Sequence, residues 1–185
     1  MEIGHHTKEA ATALYAAIAS DTGCFKYTNV TPKTLRIAAE LMEAGADQPL
    51  VNLRLFGTKT QKEIVAEKLM LDGMKTYLDG RVRFLMLTNE VKSENGLIDE
   101  DLGEIVSSMR EIEGTELSVF VRQETKEIGK YKISMRSAEN VNANELCAIF
   151  GGGGHERAAG ASMNADNPIE AEKIITEKVL NALQN

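Results

Sequence analysis

The most informative stretch of this sequence reads FGGGGHERAAG and runs from Phe150 to Gly160. Its four consecutive glycines, Gly151 to Gly154, present no side chains and cost backbone entropy to order, so packing does not explain them. They leave the backbone free to adopt positive φ, to approach a ligand closely and to turn successive N–H groups to one side as an anion-binding nest. His155 follows directly and belongs to a residue type that donates hydrogen bonds to phosphate. The stretch therefore predicts a phosphate site.

An alternative interpretation of the glycine run is a flexible loop, and the residues that flank the run argue against it. Apolar Leu146, Ile149 and Phe150 precede the run, and Ala158 and Ala159 follow it. A linker would be polar at both ends, so these neighbours predict that the run is embedded in a core.

Composition and charge exclude several classes of protein. The chain has 185 residues, is 43% hydrophobic and has no apolar run long enough to cross a membrane. No secretory signal pattern is present, and Cys24 and Cys147 lack metal-ligand spacing, so we expect reduced thiols in a cytoplasmic protein. The net charge of −7 and the lack of a basic stripe argue against binding to a long nucleic acid duplex. A nucleotide ligand would therefore be short and held by a few placed cations.

The N-terminal part of the sequence predicts three helices. Thr7 is the expected N-cap of a helix that continues to about Ala19, and Thr31 with Pro32 begins a helix that ends at Gly45. Residues 47–56 are a third, shorter helix, and Asp21 is placed in the loop between the first two.

A capping box at Thr60 to Glu63 begins the next predicted helix, which continues through Leu78 until Asp79-Gly80 ends it. We expect the domain boundary at residues 57–60, with this helix as the connector.

The remaining residues predict an independent α+β unit. An apolar central strand covers residues 81–88, an amphipathic helix covers 102–112, and a hairpin joins strands near 117–121 and 131–135. A last helix begins at Asn167-Pro168.

Three motifs, in this order along the chain, carry a family resemblance. Asp21-Thr22-Gly23, Ser134-Met135-Arg136-Ser137 and the GGGGHxxAAG pattern of residues 151–160 resemble motifs of the DHH phosphoesterases and their DHH-associated substrate-binding domain, especially the nanoRNase (oligoribonuclease) and pAp-phosphatase group. The resemblance implies a C-terminal remnant of a DHH catalytic domain at residues 1–57, a connector helix at 58–79 that lets the domains open and close, and a mixed-sheet DHH-associated domain at 80–185.

The resemblance also implies roles for individual residues. The four glycines, Arg136, Ser134 and Ser137 would bind substrate, and His155 would hold the reacting phosphate and stabilise its developing charge. Asp21 would be a manganese ligand in a site for two manganese ions. The family's first three catalytic motifs are absent here. His5-His6 does not match the family's Asp-His-His motif, because Gly4 rather than an aspartate precedes the pair and the pair lies much closer to Asp21 than in the family. The sequence therefore resembles a fragment, which we expect to be inactive alone, and residues 1–6 could also be a tag remnant.

Some residues have a competing structural interpretation. Arg136 could be a solvated strand end, and Asp21 could belong to an ordinary turn. Asn142 is better explained as the cap of the following helix than as a substrate contact. Arg157 remains open between approaching phosphate and facing water.

Two functions follow from these observations. The first is the substrate-binding part of a manganese-dependent hydrolase that acts on short oligoribonucleotides or 3′-phosphoadenosine 5′-phosphate (pAp). For this function we expect no membrane partner, and a homodimer is one possible assembly. The second is a non-catalytic RNA-binding module, similar to the domain appended to alanyl-tRNA synthetase. Asp21-Thr22-Gly23 and His155 favour the first, because a pure binding module needs neither.

Overall fold

The computed structural model describes residues 7–184, and the chain divides into two compact units, Met1–Thr60 and Gln61–Asn185. The His5-His6 pair and the proposed tag remnant lie outside the described residues. None of the described helices combines the length and the apolar composition needed to cross a membrane.

Unit 1 consists of the three predicted helices. They are α1 (Lys8–Asp21), α2 (Pro32–Glu43) and α3 (Gln48–Phe56). The side chains of Thr7, Thr31 and Asp47 cap their N-termini by accepting backbone N–H groups. Their shared core is small: Ala11, Tyr15, Ala19, Ala38, Leu41 and Val51.

The fourth helix is shorter than predicted. Helix α4 (Gln61–Gly73) ends well before Leu78, and strand β1 (Lys75–Tyr77) follows it. The three residues of β1 pair antiparallel with residues 82–84, so the hydrogen bonds of a sheet edge replace further helical turns. Leu78, Asp79 and Gly80 have φ values of 50°, 56° and 88° and form the turn between the two strands. The prediction of one connector helix over 58–79 is therefore wrong in its extent.

A six-stranded mixed sheet forms the centre of unit 2, with the order β1-β2-β3-β4-β6-β5. The further strands are β2 (Val82–Leu87), β3 (Leu117–Gln123), β4 (Lys130–Ser137), β5 (Gly153–His155) and β6 (Ala158–Asn164). Strands β2 and β3 are parallel, and all other neighbours are antiparallel. The predicted central strand and the predicted β3–β4 hairpin are confirmed.

Helices connect and cover these strands. They are α5 (Asn89–Glu94), α6 (Ile105–Arg110), α7 (Ala143–Ala148) and α8 (Pro168–Gln184), with a 3₁₀ turn at Asp99–Leu102. The single amphipathic helix predicted over 102–112 is divided into this 3₁₀ turn and α6. Gly103, a poor helix former, lies between the two pieces.

The two faces of the sheet are covered unequally. On one face, α7 and α8 pack against every strand from β2 to β4 and against β6, around Tyr131, Ile133 and Ile175. On the other face, the apolar cluster under α4 and α6 includes residues of β2 and β3 but none of β4, β5 or β6 among the described residues. Strands β4, β6 and β5 therefore present one side that no apolar cluster of the described residues covers.

We call this side the open face. By strand register it bears Lys132, Ser134, Arg136, Ala158, Gly160, Ser162, Gly153 and His155. All of them are half-buried or exposed.

Candidate functional site

The first two glycines of the run end helix α7. Gly151 has a φ of 71°, and its N–H donates to the carbonyl of Ala148 at 2.9 Å. The N–H of Gly152 donates to the carbonyl of Cys147 at 3.0 Å. This pair of bonds around a left-handed glycine is a Schellman motif, which satisfies carbonyls at the helix end.

The next two glycines form strand β5 together with His155. The N–H of Gly154 donates to Oδ1 of Asn144 at 2.9 Å. The expected anion nest of successive free N–H groups is therefore not formed, because Gly151, Gly152 and Gly154 all donate within the chain. That these glycines contact a substrate stays a prediction.

Close packing explains why two of these positions lack a side chain. A Cβ on Gly152 would lie 2.3 Å from the carbonyl oxygen of Gly160, and one on Gly154 would lie 2.7 Å from that of Ala158. At Gly153, by contrast, the nearest atom would be Oδ1 of Asn144 at 3.3 Å, and the residue is exposed. Gly153 is thus the glycine of the run whose bare backbone faces solvent on the open face.

The β5–β6 turn that follows His155 is anchored through its carbonyl groups. The carbonyl of Glu156 accepts from Oγ of Ser137 at 3.2 Å and from the N–H of Ala143 at 2.8 Å. The N–H of Ser137 donates to the carbonyl of Arg157 at 3.1 Å. These bonds hold the turn to the end of β4 and to the start of α7, and so fix the backbone of His155.

Two side chains considered in the sequence analysis make hydrogen bonds at this turn. Ser137 is 6% exposed and lies on the covered face, so its hydroxyl supports the turn and does not point toward a ligand on the open face. Arg157 donates to the carbonyls of Ala138 and Val141 at 2.8 and 3.0 Å, so it neither approaches phosphate nor merely faces water. Both residues position the loop.

Arg136 and His155 lie in one row across the open face. Arg136 is directly opposite Ala158, and Ala158 is directly opposite His155, so all three side chains point to the same side. Ser134, Gly160 and Gly153 form the adjacent row. The structure thus brings Arg136, Ser134, Gly153 and His155 onto one surface.

The guanidinium of Arg136 has no carboxylate partner within residues 7–184. It is half-buried and donates to the carbonyl of Met135 at 3.1 Å, and none of the ion pairs among the described residues includes it. The side chain of His155 likewise makes no hydrogen bond to another described residue. A cation and a donor are therefore available together on the open face.

Two asparagines support this arrangement. Oδ1 of Asn142 caps α7 by accepting from the N–H groups of Asn144 and Glu145, which confirms the structural interpretation of Asn142. Asn144, two residues after the cap, holds Gly154, and sequence reasoning did not identify it. No sequence pattern marks Asn144, because its partner is ten residues away along the chain.

Asp21 lies at the end of α1 in unit 1, not in the following loop. Its Oδ2 accepts from Nδ2 of Asn29 at 3.1 Å. No group of three or more metal-ligating side chains occurs within residues 7–184. One exposed carboxylate does not hold a metal pair, so the residues present do not form a manganese site.

A strained turn follows Asp21. Gly23, Cys24 and Phe25 have φ values of 56°, 57° and 63°, which is a rare conformation for the last two. Thr22 anchors the turn, since its Oγ1 donates to the carbonyl of Ile18 at 2.6 Å and accepts from the N–H of Phe25.

A comparison with known protein families assigns the part of the chain that carries this surface. The family described as the DHHA1 domain matches residues 82–183, more than half of the chain. The chain belongs to the DHHA1 domain family. The DHHA1 match begins at β2 and includes Arg136, the glycines and His155.

Relatives of this DHHA1 protein extend the similarity into unit 1. The bifunctional oligoribonuclease and PAP phosphatase NrnA of Thermus thermophilus is 32% identical over 174 residues, which cover 94% of this chain and 51% of the relative. The probable bifunctional oligoribonuclease and PAP phosphatase NrnA of Streptococcus mutans is 31% identical, with 91% and 52% covered. The chain thus spans about half the length of the curated relatives it matches.

A solved structure shows the same fold. An exopolyphosphatase-related protein from Bacteroides fragilis superimposes with a TM-score of 0.85 at 28% identity, which covers 95% of this chain and 51% of that one. The predicted α+β class with a mixed sheet is confirmed.

Proposed function

We propose that this chain is the substrate-binding part of a DHH-type phosphoesterase that hydrolyses short oligoribonucleotides and pAp. The family assignment and the NrnA relatives support a phosphoesterase. The observation that carries the proposal for this chain is the row of Arg136 and His155 on the open face. A half-buried guanidinium without a carboxylate calls for an anionic ligand, because burial of an unpaired charge is costly.

The surface around this row suits a nucleotide. Gly153, Gly160 and Ala158 provide a floor without bulky side chains, so a ribose or base can lie against the backbone. The positive groups are few and local on a chain whose net charge is −7. This pattern fits a short anion and disfavours a long duplex, whose binding needs many phosphate contacts.

The two side chains have different roles in this proposal. The planar guanidinium of Arg136 binds phosphate oxygens in the ground state. His155 lies at the tip of β5 and donates to the phosphate that reacts, so that it stabilises negative charge as that charge develops. Ser134, half-buried on the open face, adds a hydroxyl donor.

Unit 1 would be part of a larger catalytic domain. Its helix α3 is apolar on several sides and leaves Leu50, Leu53, Leu55 and Phe56 exposed. A helix with this pattern is normally buried by neighbouring elements. The manganese dependence of the whole enzyme belongs to the same proposal, with Asp21 as the contribution of this chain and the remaining ligands elsewhere.

Calorimetric titration with pAp tests the proposal. We expect saturable binding to the wild-type chain, and a loss of about tenfold or more in Arg136→Ala, because charge-assisted hydrogen bonds contribute about 1.5–3 kcal/mol. Arg54→Ala, which removes the same charge from an exposed position of α3, is the matched control and should bind normally. If the wild-type chain does not bind pAp but binds RNA without a terminal phosphate, the chain is the RNA-binding module and not the phosphoesterase part.

A further inference from the structure

A second cation lies on the open face, away from the row of Arg136 and His155. Lys132 is four residues before Arg136 on β4 and therefore points to the same side. Its direct neighbours across the sheet are Arg122 on β3 and Ser162 on β6. Lys132 and Ser162 are both exposed, so this third row offers an ammonium and a hydroxyl to solvent.

The charges around Lys132 leave this row positive. Asp99 pairs with buried Lys92 at 2.7 Å and with Arg122 at 3.4 Å, and Glu124 lies 3.9 Å from Arg122 and 4.0 Å from Lys132. Two carboxylates are thus shared among three cations in this described cluster. Lys132 has the longest of these contacts and a side chain that is 51% exposed, so it is the cation left for an external anion.

The surface between Lys132 and Arg136 is suited to a nucleoside. Ser134 and Gly160 form the row between them and carry only small side chains. Four residues of strand separate the two Cα atoms by roughly 13 Å at the usual rise per residue. Both side chains are long and flexible, so two phosphate groups joined by one nucleoside can contact both ends at once.

We propose that Lys132 and Ser162 form a second phosphate subsite, which binds the phosphate on the far side of the nucleoside from the one at Arg136 and His155. This inference rests on the proposed function and adds to it. Both substrate classes of that function, pAp and short oligoribonucleotides, contain two phosphates that flank one nucleoside. One surface with two separated phosphate subsites therefore accepts both.

Binding of one-phosphate and two-phosphate ligands tests the subsite. The probes are AMP, pAp and the 5′-phosphorylated diadenylate pApA, each titrated into wild type, Lys132→Ala and Lys173→Ala. Lys173 is an exposed lysine of α8, which packs on the covered face, so its variant is a matched control for net charge.

We expect Lys132→Ala to weaken pAp and pApA binding about tenfold and to leave AMP binding within about twofold of wild type. The slope of log affinity against log salt for pApA should also become shallower by about 0.7, the value for one lost phosphate contact on a single strand. Arg136→Ala should weaken all three ligands, and the double variant should show additive losses, because the two sites share no partner.

Equal losses for AMP and pAp, or a Lys132→Ala variant that matches Lys173→Ala, would overturn the second subsite while leaving the proposed function intact. Wild-type chain that binds none of the three ligands would overturn the proposed function itself, and the subsite with it.

Discussion

Oδ1 of Asn144 accepts the N–H of Gly154 at 2.9 Å and so ties the first turn of α7 to the short edge strand β5. Strand β5 has only three residues, and β6 is its sole neighbour within the described sheet. Strand β6 holds one edge of β5, and the contact with Asn144 holds the other edge at the residue before His155.

Asn144→Ala should loosen β5 and weaken nucleotide binding without unfolding the chain. Losing one neutral hydrogen bond costs about 1 kcal/mol, which corresponds to roughly a fivefold loss of pAp affinity if His155 depends on it. Amide exchange at Gly154 should accelerate in the same variant. Asn144→Asp keeps an acceptor at this position and should preserve slow exchange; if Asn144→Ala exchanges at the wild-type rate, the contact does not order β5.

Substitutions in the glycine run should separate folding from binding. Gly152→Ala places a Cβ against the carbonyl of Gly160 and should destabilise the chain by about 1–3 kcal/mol, as overpacking does. Gly153→Val adds a branched side chain where only Asn144 is near, so it should leave the fold largely intact and block the ligand. Urea denaturation and calorimetry with pAp measure the two effects; normal pAp affinity in Gly153→Val would exclude close approach at this glycine.

His155→Ala should have a different kinetic signature from Arg136→Ala in a whole-length enzyme that carries this chain. If His155 stabilises charge in the transition state, its loss lowers kcat more than it raises KM. Loss of Arg136 should raise KM and reduce the salt dependence of binding at every pH, because a guanidinium stays protonated. A change in KM alone for His155→Ala would make this histidine a simple ligand clamp.

Cys147 should make stability pH-dependent at high pH. Burial in the core raises the pKa of the Cys147 thiol to about 11, so the folded state disfavours the thiolate. The folded pKa lies above the unfolded value, and the corresponding stability is present below about pH 8.5, the usual thiol pKa, and is lost as the pH rises toward 11. The urea midpoint should drop between pH 8 and pH 10.5, and this drop should be larger for wild type than for Cys147→Ala. Cys24→Ala is the control, and an equal fall in both variants would show that other groups cause it.

The chain on its own should hydrolyse neither pAp nor a short RNA in the presence of manganese. One carboxylate, Asp21, does not hold two ions, and residues 7–184 contain no cluster that does. The measurement is product release with manganese, compared with a full-length relative under the same conditions. Turnover at a comparable rate would contradict the proposal that the other metal ligands lie elsewhere.

Features that depend on neighbouring residues were predicted correctly. Thr7, Thr31 and Asn142 cap their helices as expected, because an N-cap needs only the backbone of the next turn. The β3–β4 hairpin followed from alternation of apolar residues. The extents of α4 and of the helix over 102–112 were wrong, because pairing of β1 with β2 and the break at Gly103 override a local helical pattern.

The sequence by itself predicts a phosphate site at the glycine run, His155 and Arg136, since their residue types and order can be read along the chain. The tertiary structure decides which of these groups share a surface and which are already paired. Strand register placed Arg136 and His155 on one open face, and contacts distant in sequence engaged the N–H of Gly154 and the hydroxyl of Ser137 in structural hydrogen bonds. A hydrogen-bond donor serves a ligand only when the fold leaves it unpaired, and pairing depends on which strands and helices meet.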